Sequence, residues 1–259
     1  MEVKYQEYLE KDETLKYEGR LFQPTKEDKP VILVLTNKRL GKIDPKTAKV
    51  KFNDLWSIHS IENDAESSYI FQLFVYKKSK SRFLKSATDI NSYLKVQSYL
   101  CESTEKRTEW VDSFYEALRD FWQQFFEKQY VPEPEIYQVH ALLTKFNRKK
   151  KKQIRCLVLS TERVFNIGVK LSDMKPSKVR WAIPLSRLEK VLLYRNNLRA
   201  FGIQINNTAL KKNSQSKMST IYSFLAKDIE EREMIVQELH ILYLNKMGKQ
   251  VSIEEMGNI

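Results

Sequence analysis

The chain is poor in the residues that build most catalytic and metal sites. Its two cysteines, Cys101 and Cys156, are too few for a disulfide framework. Neither has a histidine near it in sequence, so the Cys/His spacing of a zinc site is missing, and both read as buried bystanders. The three histidines, His59, His140 and His240, are scattered. No Gly-rich phosphate loop, nucleophile elbow or metal-binding helix motif is present, so the expected activity is binding and not catalysis, with no cofactor. Only six glycines and seven prolines occur in 259 residues, which excludes a linker-dominated or low-complexity protein. No apolar run reaches the roughly 20 residues that cross a bilayer, and Met1 to Tyr17 lacks the apolar block of a secretory signal. The expected location is therefore cytoplasmic, and in that setting the sequon Asn206-Asn207-Thr208 is idle.

What the chain does have is core-forming material: 42% of residues are hydrophobic and 12% aromatic. At a usual domain size of roughly 100 to 150 residues, two domains are expected. The formal net charge is +12, and it is unevenly placed. Residues 1–130 hold 22 Lys and Arg against 21 Asp and Glu, whereas residues 131–259 hold 23 against 12. An acidic partner is expected to meet the second half.

A repeat joins the halves. Leu33 to Leu40 (LVLTNKRL) is matched by Leu157 to Val164 (LVLSTERV), 124 residues later. In each copy an apolar stretch enters a polar turn and leaves as a second strand, Leu40 to Ile43 or Val164 to Ile167, which predicts a β-hairpin. Further strands are predicted at Val50 to Ile58, Ser68 to Tyr76 and Tyr93 to Leu100, and in the second half at Val179 to Pro184, Leu188 to Tyr194 and Ala200 to Ile205. A helix closes each half. The first, capped by Ser103 or Thr104, shows Val111, Phe114, Leu118, Trp122 and Phe125 on one face. The second opens with Asp228 and Glu231 as a capping box ahead of Ile235, Leu239 and Leu242.

Pro132 and Pro134 interrupt regular structure between the halves. The expected organisation is a first domain at 1–129, a linker at 130–136, a second domain at 137–248 and a tail at 249–259. The first helix carries more aromatic surface than one closing helix needs. Trp122, Phe125 and Phe126 are expected either to pack between the domains or to face their own core.

Glu105 to Val111 (EKRTEWV) resembles the closing helix of pleckstrin-homology (PH) domains, where a tryptophan packs over one end of a small barrel. Leu33 to Thr36 and Leu157 to Ser160 resemble the second strand of that family. The second copy is also similar, through Lys145 to Leu159, to the PH-like tail domain of class I myosins. The resemblance implies an α+β, mainly β fold: two tandem PH-like domains, each an antiparallel seven-stranded partly open barrel capped by a C-terminal helix.

For the ligand, the resemblance implies a lysine late in strand one, a basic loop, and an arginine early in strand two, converging on inositol phosphates. Lys145, then Arg148, Lys149, Lys150, Lys151 and Lys152, then Arg155 fill those places. Lysine and arginine supply the point charge and forked donors that phosphate groups need. Lys175, Lys178, Arg180, Lys211, Lys212 and Lys217 lie in turns that could border the same face. In the first copy Val31 stands at the strand-two position and the preceding loop mixes charges, although Lys16 and Arg20 remain nearby. That copy is expected to be structural or to bind a protein.

By composition alone the basic run reads equally as a solvated loop, a nuclear-import segment or a nucleic-acid patch. Its place between two strands favours acidic phospholipids or phosphoinositides and a peripheral membrane protein. Nucleic acid ranks below lipid because no RNP, finger or recognition-helix pattern is present. The alternative is an adaptor whose two modules both bind proteins.

Overall fold

The structure, a computed structural model, describes residues 5–24, 26–77, 89–147, 151–206 and 220–257. By contact the chain divides into two compact units, Met1–Lys78 with Leu94–Phe125, and Ser79–Tyr93 with Phe126–Ile259.

The first unit contains β1 (Leu15–Gln23), β2 (Lys26–Thr36), β3 (Arg39–Ile43), β4 (Val50–Asp54), β5 (Ile58–Asn63), β6 (Ile70–Tyr76) and β7 (Leu94–Leu100). They form one sheet in the order β4-β3-β2-β1-β7-β6-β5. Helix α1 (Thr104–Gln129) follows, begun by Ser103, whose Oγ accepts the Lys106 N–H at 3.2 Å. Trp110 is 2% exposed and meets Tyr17 edge-on at 4.7 Å and Phe71 at 6.2 Å. Gly19 makes room for it, because a Cβ there would stand 3.3 Å from the indole. The sheet is curled: the Lys42 ammonium on β3 lies 5.5 Å from the Tyr99 ring on β7, strands that three flat spacings would hold about 14 Å apart.

The second unit repeats the order with one addition. Its strands are β8 (Tyr137–Phe146), β9 (Lys152–Ser160), β10 (Arg163–Lys170), β11 (Lys175–Pro184), β12 (Leu188–Tyr194), β13 (Ala200–Ile205), β14 (Thr220–Leu225) and β15 (Ser252–Met256). The sheet runs β11-β10-β9-β8-β14-β13-β12-β15. Trp181 on β11 and Tyr222 on β14 have ring centroids 4.5 Å apart although four strand spacings separate them in the sheet order, so this sheet also curls. Helix α2 (Ile229–Met247) has Asp228 as N-cap, accepting the Glu231 N–H at 2.8 Å. It ends at Gly248, whose φ of 66° gives the left-handed turn that glycine tolerates. Ile235, Leu239 and Leu242 pack with Leu143, Leu157, Ile183, Phe201 and Phe224 in one core.

Mostly antiparallel sheets, each followed by a helix, fit the PH-like expectation. The tail and the division between the units differ from the sequence reading. Residues 252–256, expected as part of a tail, form β15 in parallel with β12. The division by contact falls at Phe125 and Phe126, within α1, and not at the prolines. The proline segment is tied into the second unit, since Val131 is 3% exposed and the Glu135 carboxylate accepts from the Ser160 hydroxyl at 2.7 Å.

That carboxylate belongs to a clasp that both units carry. In the first, Glu13 accepts from the Thr36 hydroxyl at 2.5 Å and the Arg39 Nε at 3.1 Å. In the second, Glu135 accepts from Ser160 and pairs with Arg163 Nε at 2.9 Å. Asn37 and Thr161, each following the hydroxyl residue, accept the N–H of Thr14 and Ile136, the residue after each carboxylate. Each clasp fixes the entry to a unit's first strand against its second hairpin.

Candidate functional site

In an antiparallel pair, residues opposite each other point to the same side of the sheet. On β8 and β9, Ala141 is opposite Leu157, Leu143 opposite Arg155, and Lys145 opposite Gln153. Ala141, Leu143 and Leu157 are core residues, so Lys145 and Arg155 rise from the core face of the hairpin at its open end. Lys145 is also opposite the buried Phe224 on β14. Its ammonium stands 4.9 Å from the Tyr222 ring centroid, an attraction that holds the cation without a carboxylate.

Arg155 is opposite Gly168 on β10. A Cβ on Gly168 would lie 3.0 Å from Arg180 Nε, so the missing side chain lets Arg180 cross beside Arg155. The Arg155 guanidinium donates to Ile154 O at 2.8 Å and to Gln153 Oε1 at 2.6 Å. Burial, and then the Arg155 charge, pull the Lys145 pKa below its ordinary value. Burial, and then the Arg180 charge, do the same to Arg155. Among the described residues no carboxylate forms an ion pair with Lys145, Arg155 or Arg180. Arg39, Arg163, Arg195 and Arg199, by contrast, each have one.

The structure therefore joins the two ends of the expected site, Lys145 and Arg155, with Arg180, which was expected in a turn and lies on β11. It does not unite the whole run. Lys152 is opposite Phe146 on the other side of the hairpin, with its ammonium 5.7 Å from that ring. Lys151 is exposed, its N–H donating to Asn147 Oδ1 at 2.9 Å. Arg148, Lys149 and Lys150, like Lys211, Lys212 and Lys217, lie outside the described residues. Lys175 opens β11 and Lys178 lies within it, so neither is in a turn.

Trp122 and Phe125 belong to the first unit, where Trp122 is 6% exposed and meets Phe125 at 5.5 Å. Phe126 belongs to the second and stacks on Tyr137 at 5.2 Å, with His140 at 4.8 Å.

In the first unit Lys16 is neutralised by Asp120 at 3.3 Å, and Arg20 lies over Phe22 at 5.6 Å. Positive charge gathers elsewhere, at a pocket of about 380 Å³ lined by Lys42, Lys46, Lys49 and Lys51 together with Asp44 and Val31. The sequence reading weighed strands one and two and so missed these lysines. They are visible as a run of alternating cations around the β3–β4 turn, but only the fold brings Lys42 to the inner face.

Both thiols are buried. Burial pushes Cys101 up to about 12 and Cys156 higher. Among the described residues no group of His, Cys, Asp and Glu has the arrangement of a metal site, and no helix is long and apolar enough to cross a membrane.

No family model matches the chain, and no curated protein matches it. Solved structures do. The hSac2 domain from the human phosphoinositide phosphatase Sac2 is 16% identical, with a TM-score of 0.40, over 56% of this chain and 91% of that domain. The DH/PH fragment of PDZRHOGEF, solved with human RhoA, is 14% identical, with a TM-score of 0.38, over 55% of this chain and 44% of the fragment. The linker-DH/PH domains of p115-RhoGEF are 14% identical, with a TM-score of 0.32, over 42% of this chain and 30% of theirs.

Proposed function

We propose that the protein is a pair of PH-like modules without catalytic activity, and that the second module holds the headgroup of an acidic phospholipid, in its finer form a phosphoinositide, at the rim formed by β8, β9, β10 and β11. The observation that carries this reading is the crowding of Lys145, Arg155 and Arg180 on one face with no carboxylate paired to any of them among the described residues. Lys145 and Arg155 are half-buried and Arg180 beside them is exposed; like charges so placed raise one another's cost, and an anion placed among them removes it. A phosphate meets all three at once, with the forked guanidinium donors supplying geometry and the ammonium supplying charge. Bound in this way the protein would sit at a membrane surface without entering it, helped by the general positive charge of the second half.

Co-sedimentation with vesicles tests the reading. Native protein should pellet with vesicles containing phosphoinositide at low salt and release as salt rises, because each cation near the surface is worth about 1 kcal/mol and is screened within a Debye length. Replacing Lys145 and Arg155 with alanine should weaken pelleting about thirtyfold at low salt, the product of two such losses. Equal pelleting of both proteins would remove the site.

A protein-binding role for the first unit is the second reading. The lysine-lined pocket at Lys42 and Lys51 suits an acidic peptide segment. Charge reversal there should leave vesicle pelleting unchanged under this division of labour.

A further inference from the structure

Asn166 carries a buried primary amide. It is 1% exposed, and neither its Oδ1 nor its Nδ2 has a hydrogen-bond partner among the described residues. Its place is inside the second sheet, opposite the core residue Leu157 on β9 and opposite Trp181 on β11. Trp181 leaves its own buried Nε1–H unpartnered. Buried polar groups are nearly always satisfied, and leaving three such atoms unmade in one place destabilises the empty protein.

These groups lie directly beneath the cationic rim. The next residue toward the rim on the same face as Asn166 is Gly168, which Arg180 crosses and Arg155 faces. The Trp181 ring packs on Tyr222, and Tyr222 carries the Lys145 ammonium. A polar column therefore descends from Lys145 through Tyr222 and Trp181 to Asn166. At Gly168 the space on this face is filled by the Arg180 guanidinium and the Ser177 hydroxyl, so a ligand that reaches the amide from the rim must displace the Arg180 side chain.

The donor and acceptor inventory limits what the amide can take. An ionised phosphate accepts only; it suits Nδ2–H and the indole N–H but sets lone pairs against Oδ1. An ammonium-bearing headgroup could donate to Oδ1 but would bring positive charge among three cations. A hydroxyl both donates and accepts. Resting on the anion-site reading above, we propose that Asn166 determines specificity by accepting from and donating to a hydroxyl of a phosphorylated polyol, with Trp181 Nε1–H as a further donor, while Lys145, Arg155 and Arg180 hold the phosphate.

Titration calorimetry of the full chain at low salt, with inositol trisphosphate and with inorganic triphosphate as a polyanion lacking hydroxyls, tests this. Native protein should prefer the inositol compound by about tenfold or more, the scale of one or two made hydrogen bonds. Asn166→Leu should bind triphosphate within about twofold of native but lose most of the preference, and should melt no lower than native because the orphaned amide is gone. Trp181→Phe, which removes only the N–H, should lose part of the preference and decides the question if Asn166→Leu does not melt cooperatively. Lys145→Ala with Arg155→Ala should lose both ligands. A native ratio retained in Asn166→Leu, or in Trp181→Phe when that variant decides, or no preference in native protein, overturns the role of Asn166 while leaving the rim site standing. Failure of native protein to bind either compound overturns both.

Discussion

Arg155 stands opposite Leu143, two residues before Lys145 on the same strand, so the two cations leave one face of one hairpin and end at one rim. Without a bound anion this arrangement opposes folding, and that opposition is measurable.

Lys145 titrates below its ordinary 10.5 in the folded protein, through burial and then the Arg155 charge. Between the lowered folded value and 10.5 the native state binds fewer protons than the unfolded state, so this group makes stability rise with pH across that window. Urea unfolding of native protein and Lys145→Met, followed from pH 8 upward, should show the upward slope reduced in the variant. Identical slopes would mean that Lys145 is not under that pressure.

The clasp at Glu13 has the opposite sign. Burial would raise this carboxyl, but hydrogen bonds from Arg39, the Glu10 N–H and Thr36 outweigh burial and hold it below 4.5. Its contribution is present above 4.5 and is lost as pH falls through the lowered folded value. Glu13→Gln should cost about 1–3 kcal/mol near pH 7, the range for leaving buried partners unmade, and should show a shallower loss of stability in acid than native protein.

Residues 89–93, from the connection between β6 and β7, belong to the second unit. Ile90 and Tyr93 are fully buried. The Ile90 N–H donates to Thr144 Oγ1 at 3.2 Å, and Asp89 pairs with Arg199 at 3.0 Å. Thr144 immediately precedes Lys145, so this turn backs the strand that carries the rim. Ile90→Ala should destabilise by about 2–5 kcal/mol, and a fragment beginning at residue 126 should unfold without a cooperative transition. A fragment as stable as the second unit of the whole chain would contradict the assignment.

Strand β15 covers the edge of β12, held by Lys190 to Glu254 at 2.5 Å and Arg195 to Glu255 at 2.7 Å. Cutting the chain after Gly248 removes it and exposes the backbone of an apolar strand. The truncated protein should self-associate in gel filtration with light scattering, at concentrations where the full chain does not.

Much of the fold was legible because periodicity and capping are local. Leu188 to Tyr194 and Ala200 to Ile205 are strands as read, and Asp228 with Glu231 opens α2. The strand predicted over Val50 to Ile58 is instead two, broken by a turn at Leu55–Ser57, because an apolar run does not show where a chain reverses. Strands β1, β14, β15 and most of β5 were missed, and β8 was implied only by the resemblance at Lys145; Ser252 to Met256 has mostly exposed side chains, so no burial pattern announces it. At the rim, Lys145 and Arg155 were both named from sequence, and the fold places them on one face of the β8–β9 hairpin. Lys152 misled because sequence proximity says nothing of face, and a single residue of register separates the two sides of a strand. Asn166 carried no signal, since a lone asparagine in an apolar strand reads as a tolerated polar residue until its lack of partners is seen.

The anion site proposed at Lys145, Arg155 and Arg180 has a direct readout. Melting temperature measures it from both sides, with and without a soluble inositol polyphosphate, in native protein and in Lys145→Met with Arg155→Met. The ligand should raise the melting point of native protein and not of the variant, and without ligand the variant should melt at least as high as native because the repulsion is gone. The same ligand-induced rise in both proteins, or a ligand-free variant that melts well below native, would contradict it.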